Sequence, residues 1–453
     1  MMLINHDYRR LWAGQLVSQS GDFVFSTTLS LWIGTVLLKN TSYAPAGVSA
    51  LVAVVAVGTL TVGPLAGVFV DRWDRRRTML AADLARAALV AVLTVLAFLP
   101  VGTVPETGLL VAAYSTVLLT TCAAQFFNPA RFALIGDVVG SQDRARAAGI
   151  GQATQAIAGI AGPPLAAPLL FTIGVQWALL LNSLSFLASF AAIRAVRPPA
   201  RPATAAAPGA GRGFAGFAAE LTAGLRLVAA SRTVTVLITT VVLVTVGADA
   251  LNSLNVFFVS DNLHAASRWY GTLEMAMGFG LIAGALLATR LADRIGARRV
   301  FSLGLLLTGV GIVVYSRLGS LGLALITLTV VGLPLAAVNT ALTPILLAEV
   351  PRSHLGRVIA VCNPCQQIGA LVGVSLAGWL ASGPLRDFHS SPAGLHLGRI
   401  DTIFTAAGLL VIAGGAYAAV ALRSGHRTLV EDRPGHDPER GSGADTLQDT
   451  GPA

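Results

Sequence analysis

The chain is built from long apolar runs, and their length fixes what it can become. Twelve stretches bounded by charges, glycine and proline fall at roughly 11–38, 45–70, 78–99, 108–128, 146–170, 174–194, 233–260, 269–289, 300–316, 320–345, 357–382 and 401–422. A membrane-crossing helix needs about 20 apolar residues to traverse a hydrocarbon core roughly 30 Å thick, so each run is long enough to cross. The other spanning structure, a closed β-barrel, needs alternating strands of about 10 residues, and the sequence has none. Composition agrees: of 453 residues, 54% are apolar and 12% charged, against about 25% charged in a soluble domain. That leaves too little polar surface for soluble domains, which excludes a soluble enzyme, and far too many apolar residues for a disordered chain. The run after Tyr8-Arg9-Arg10 contains Asp22 and is too long and too polar for a signal-peptide core, so it reads as the first span. The expected fold class is an all-α integral membrane protein of twelve transmembrane helices.

The basic residues orient these spans. Net charge is +9, and all but Lys39 of the 31 basic residues are arginine. They form short groups between apolar runs rather than one water-facing patch, which argues against nucleic acid. Threading twelve spans leaves five of them, Lys39, Arg268, Arg317, Arg386 and Arg399, on the side away from the termini, and the rest on the side of both termini. The positive-inside rule then places both ends in the cytoplasm of a cell-membrane protein. Residues 195–231, rich in Pro, Ala and Gly, begin as a flexible cytoplasmic linker, and Phe214 to Leu227 pattern as a short amphipathic surface helix. The expected organisation is a six-helix bundle over 1–194, the linker 195–231, a second bundle over 232–422, and a disordered polar tail over 423–453. Three cysteines exclude a disulfide framework.

The two halves repeat a signature. GVFVDRWDRRR runs from Gly67 to Arg77 after the second span, and TRLADRIGARR from Thr289 to Arg299 after the eighth. Asp71-Arg72 matches Asp293-Arg294, which positive-inside bias alone does not explain. On these residues the chain resembles the major facilitator superfamily, whose signature Gly67, Asp71, Arg72, Arg75 and Arg76 fit while Asp74 replaces its glycine. The early Gly21-Asp22 and the run Phe127-Asn128-Pro129-Ala130-Arg131 resemble its bacterial branch of macrolide-efflux and enterobactin-exporter-like proteins. The resemblance implies two pseudo-symmetric bundles that rock around a midplane cavity. It also implies a cytoplasmic gate built from the signature residues, with Asp71 facing the start of the eleventh span near Arg357, where the helix dipole favours an anion. Gly159, Gly162 and Pro163 in the fifth span are similar to the antiporter signature, with one residue fewer between the glycines. Small residues there let helices approach and prolines kink them, so ordinary packing accounts for the same residues. Proton antiporters of the superfamily often carry an arginine in mid-span four, whereas this span has no charge before Arg131.

Ionisable groups inside spans are costly and mark candidate function. Asp22 is the deepest acid of the first half and Asp249 its approximate counterpart; substrate or proton handling and a helix-packing hydrogen bond are the two readings of each. Asp83 and Arg86, three apart, share a helix face and read as an intrahelical ion pair near the cytoplasmic mouth. Glu274 lies five residues past Trp269, where it reaches either the cavity or the outer interface. Gln125, Gln152, Gln155, Asn339, Gln366 and Gln367 either line the cavity or bridge helices. Cys362-Asn363-Pro364-Cys365 opens an apolar span with no second pair, which argues against a redox or metal site. Asp71 and Asp74 suggest a membrane prenyltransferase, but such metal sites need two acidic loops, and the other loop offers only Asp293. The expected function is export of an amphipathic small organic compound, such as a drug, macrolide-like antibiotic or siderophore, by proton antiport; uptake and lysophospholipid flipping are alternatives. No enzyme activity, cofactor or metal is expected, and a monomer with a small-molecule substrate, protons and the lipid bilayer as partners is.

Overall fold

The computed structural model describes residues 4–70, 72–100, 102–197, 214–350, 355–388 and 398–422. Among these there are thirteen α-helices and no strand: α1 His6–Trp32, α2 Ala44–Val70, α3 Arg75–Phe98, α4 Glu106–Val138, α5 Arg144–Pro168, α6 Val175–Arg194, α7 Phe214–Ala230, α8 Arg232–Asp261, α9 Tyr270–Ile295, α10 Ala297–Tyr315, α11 Leu321–Glu349, α12 Leu355–Ser382 and α13 Arg399–Ala421. Ten of them are long and apolar enough to cross a membrane. The remaining long helices, α1 and α12, match these in length but carry Gln15, Gln19 and Asp22, and Asn363, Gln366 and Gln367, in their middles. The third, α7, spans the segment whose amphipathic pattern predicts a surface helix, and it packs on α12. The polar tail from residue 423 lies outside the described residues.

Local chemistry starts and stops these helices. The Asn5 side chain accepts a hydrogen bond from the Tyr8 backbone N–H at 2.7 Å and caps α1, satisfying one of the donors a helix start leaves open. Asp74, the residue that replaces the signature glycine, does the same for α3 by accepting from Arg77 N at 2.7 Å. The turns after α1 and α8 each pass through a left-handed residue, Asn40 (φ 64°) and His264 (φ 48°).

The sequence places the fourth span at 108–128, and α4 continues ten residues further. Pro129 and Arg131 read as a membrane edge, yet Pro129 sits inside the helix. Proline inside a span is tolerated where neighbours re-satisfy the freed carbonyl. Arg131 therefore lies within α4, with Nη1 3.1 Å from Gln15 Oε1 of α1.

Packing repeats between the halves. In the first, α1 packs on α5 and α6, α3 on α4 and α6, and α2 on α4; in the second, α8 packs on α12 and α13, α10 on α11 and α13, and α9 on α11. The halves meet through α2 with α12 and α5 with α9, pairs that exchange under the same correspondence. These meetings lie towards the end opposite the termini: Ala46 N donates to Ser382 Oγ at 3.0 Å, and a Cβ on Gly378 would fall 2.6 Å from Ser49 Cβ. A Cβ on Gly271 would stand 2.1 Å from the carbonyl oxygen of Pro163, a backbone atom that cannot step aside. Gly271→Ala is therefore expected to cost the closed seam about 1–3 kcal/mol, the usual range for overpacking. Spin-label distances across this mouth are expected to shift towards longer values, and a distribution like the wild type's would show that the seam tolerates the methyl.

Candidate functional site

A cavity of about 390 Å³ lies between the halves, with Asp22, Arg86 and Asn182 on one wall and Asn252, Tyr270 and Glu274 on the other. Gly21 makes the first wall: a Cβ there would meet Ser185 Oγ at 2.4 Å and Asn182 Oδ1 at 2.7 Å. Only glycine lets α1 approach α6 this closely, and that approach aims the next residue, Asp22, into the cavity.

Arg86 organises the charges. It forms an ion pair with Asp83 on its own helix, and its Nη1 lies 4.0 Å from Asp22 Oδ2. The Asp83 side chain is 0% exposed and that of Arg86 6%, while Asp22 keeps 45% of its side-chain surface open. The guanidinium carbon sits 4.5 Å from the Phe127 ring centroid and 4.3 Å from that of Phe186, so two aromatic faces stabilise the cation. Arg86 Nε and Asn182 Nδ2 are buried without a hydrogen-bond partner among the described residues. The sequence predicts the Asp83–Arg86 pair correctly but places it near the mouth. Helix α3 starts at Arg75, three residues before the predicted start, which puts Arg86 about three turns deep and against the cavity.

A second cavity of about 230 Å³ inside the other half holds Asp249, Asn252, Asn255 and Glu274. Glu274 and Asn252 line both cavities, so Glu274 faces the seam rather than only the outer interface. The Asn255 amide oxygen accepts from the Tyr315 hydroxyl at 2.7 Å, which fixes the floor of this chamber. No described side chain forms an ion pair with Asp249.

The other sequence candidates are distributed. Gln152 and Gln155 line a separate cleft of about 340 Å³ between α1, α4 and α5, with Arg131. Gln125 donates to Thr59 Oγ1 at 3.3 Å and ties α4 to α2. Gln366 reaches Cys362 Sγ at 3.5 Å, and Asn339 is exposed on α11. Gly159 and Pro163 line the central cavity. Gly162 packs under Phe23 of α1, where a Cβ would fall 2.6 Å from Phe23 Cβ.

Of the signature residues, Arg75 pairs with Asp137 at the end of α4 at 2.6 Å, and Arg76 reaches the carbonyls of Ile193 and Arg194 at the end of α6. The second half repeats this with an ion pair between Arg298 of α10 and Glu349 at the end of α11. These arginines tie helices within a half. Arg72, Asp293 and Arg294 are exposed, and Gly67 lies near the end of α2. Asp71 lies outside the described residues, as does the side chain of Arg357, so the expected contact between them is not placed.

The residues missed by sequence reasoning are Asn182, Asn252 and Tyr270, together with the cavity role of Arg86. Asp249 and Asn252 stand three apart and Tyr270 and Glu274 four apart, spacings that share a helix face. That spacing was the available signal.

A family model described as "Transmembrane secretion effector" matches residues 2–425. Among curated relatives, macrolide efflux protein A of Streptococcus pyogenes is 33% identical over 171 residues, 36% of this chain and 37% of that protein. An MFS-type transporter of Bacillus subtilis (strain 168), YkuC, is 27% identical over 185 residues, 41% of this chain and 40% of that one. The matched stretch spans about two fifths of the length of these relatives. Among solved structures, a bacterial homologue of the lysosomal transporter Spinster, inward-facing and unoccupied, has a TM-score of 0.64 at 15% identity over 92% of this chain and 95% of that one. The nucleoside transporter NupG has a TM-score of 0.69 at 11% identity over 92% and 100%. Such low identities speak for the fold alone.

Proposed function

Because the chain belongs to the transmembrane secretion effector family of the major facilitator superfamily, we propose that it exports an amphipathic small organic compound by alternating access, in exchange for protons. The observation that carries this reading is the central cavity, to which both halves contribute ionisable side chains, Asp22 and Arg86 from one and Glu274 from the other. A cavity shared across the seam is remade each time the halves rock, so a bound solute feels both states differently, which is what coupling requires. Its wall is mostly apolar, with Phe23, Phe25 and Phe186, and a few polar groups, including the unpartnered Arg86 Nε and Asn182 Nδ2. That mixture suits an amphipathic solute. The relatives named for macrolide efflux support export and that class of compound.

In this reading α1 and α12 cross with the ten more apolar helices, giving twelve spans in bundles over 1–194 and 232–422, joined by a cytoplasmic linker over 195–231 and followed by the tail 423–453. The excess of arginine on the side of the termini supports cytoplasmic ends. Asp22, Asp249 and Glu274 form the substrate and proton pathway, and the signature residues, Asp71 among them, form the cytoplasmic gate. The chain works as a monomer.

A susceptibility panel on cells expressing or lacking the protein selects the compound, and everted vesicles give direction. Accumulation of that compound inside everted vesicles, driven by an inward-acid pH gradient and abolished by a protonophore, is the expected result. Loss of compound from the vesicles under the same gradient would indicate uptake. Movement of a labelled lysophospholipid instead would indicate a flippase.

A further inference from the structure

Three of the five basic residues on the side away from the termini, Lys39, Arg268 and Arg399, line one cleft of about 600 Å³. Its walls come from both halves. Thr35 and Asn40 belong to the turns that follow α1, Phe257 and Asp261 to α8, Arg268 to the short turn before α9, and Arg399 to the start of α13. Two π-helical turns, Ile33–Leu37 after α1 and Leu169–Ile173 after α5, contribute Thr35 and Phe171. Such turns are rare and recur at functional sites.

The charges do not cancel. Asp261 is the one carboxylate among the described lining residues, and it is already engaged: Arg399 Nη2 stands 2.8 Å from its Oδ2, and the Ser260 hydroxyl donates to its Oδ1 at 2.8 Å. Lys39 and Arg268 have no ion-pair partner among the described residues, and the stretch 389–397 before α13 contains no Asp or Glu. Asn40 and Ser267 add amide and hydroxyl donors, and Phe171 and Phe257 an apolar floor. Two uncompensated cations beside such donors match a phosphate oxyanion with polar substituents.

We infer that this cleft binds the phosphate of a glycerophosphate group that carries net negative charge, with no cation of its own as in choline, and that occupancy holds the two halves together at this end of the molecule. The site requires Lys39 from one half and Arg268 from the other, so a ligand bridging them favours the arrangement in which they converge. A lipid headgroup and a free glycerol phosphate present the same chemistry.

The full-length protein, extracted in mild detergent with an equimolar mixture of phosphatidylglycerol and phosphatidylcholine, is expected to retain the anionic lipid over the zwitterionic one by about thirtyfold in native mass spectrometry, from two basic residues near a membrane surface. Lys39→Gln/Arg268→Gln is expected to lose that preference. Lys39→Arg/Arg268→Lys is expected to keep it, as is Arg386→Gln, a basic residue at the same end outside the cleft. The single variants Lys39→Gln and Arg268→Gln, each expected to lose part of the preference, serve where the double variant does not fold. In phosphatidylcholine nanodiscs, a rise in Tm with glycerol 3-phosphate for the wild type and not for the glutamine variant extends the site to free phosphates; stabilisation by phosphatidylglycerol alone assigns it to lipid headgroups. Equal retention of both lipids with no effect of glycerol phosphate, or an unchanged preference in the glutamine variants, overturns the inference.

Discussion

Arg86→Gln is expected to destabilise the folded chain by about 3–5 kcal/mol, the range for removing one partner of a buried ion pair, and to abolish transport. The pair partner Asp83 has no exposed side-chain surface, so losing the guanidinium strands a carboxylate that water cannot reach. The two aromatic contacts with Phe127 and Phe186 are lost as well. The two losses separate in a double variant. Asp83→Asn with Arg86→Gln replaces both charges by amides that can pair with each other, so much of the stability is expected to return. Transport is expected to stay absent, because Asp22 still lacks the cation 4.0 Å from its carboxyl group. Thermal denaturation in detergent reads the first quantity and vesicle uptake the second. A double variant that recovers both would make Arg86 a purely structural residue. Arg86→Lys is expected to fall between, since lysine keeps the charge but not the planar face that stacks between two rings.

The spans were legible because their signal is long and redundant: runs of about 20 apolar residues survive a misplaced end. The signature repeat was legible because Asp71-Arg72 and Asp293-Arg294 recur at matching turns, and the structure adds that the arginines following each turn tie helices within a half. What sequence reading lost was depth. Pro129 and Arg131 mimic a membrane edge, although α4 runs on to Val138, and the start of α3 at Arg75 rather than 78 moves Arg86 from the mouth to the cavity. Partnership across helices was also invisible. Nothing in the spacing of Asp22 and Arg86, 64 positions apart in sequence, says that they meet, and the distance of Glu274 from Trp269 leaves cavity and outer interface both open because it measures position along one helix only. The chain does carry an arginine beside its deepest acid, supplied by α3 instead of α4.

In Asp22→Asn, gradient-driven accumulation is expected to vanish while exchange of substrate down its own gradient survives. Asp22 is the half-open member of a three-residue group whose other acid, Asp83, is sealed against Arg86. A proton or a cationic group arriving through the cavity can therefore reach Asp22 and not Asp83. Each arrival cancels the pull of Asp22 on Arg86 and leaves the guanidinium wholly to Asp83. In the antiport reading a proton does this when the cavity faces outward, and substrate takes its place when the cavity faces inward. Asparagine fixes the neutral state permanently: the side chain keeps its size and its place beside Gly21, so the cavity survives, but the site no longer differs between loaded and unloaded forms. Proteoliposomes with an imposed pH gradient measure the coupled rate, and counterflow without a gradient measures the carrier alone. Full gradient-driven transport by the asparagine variant would move coupling to the other half. Asp249, which no described side chain neutralises, would be the next residue to replace, with Glu274, shared between the two chambers, after it.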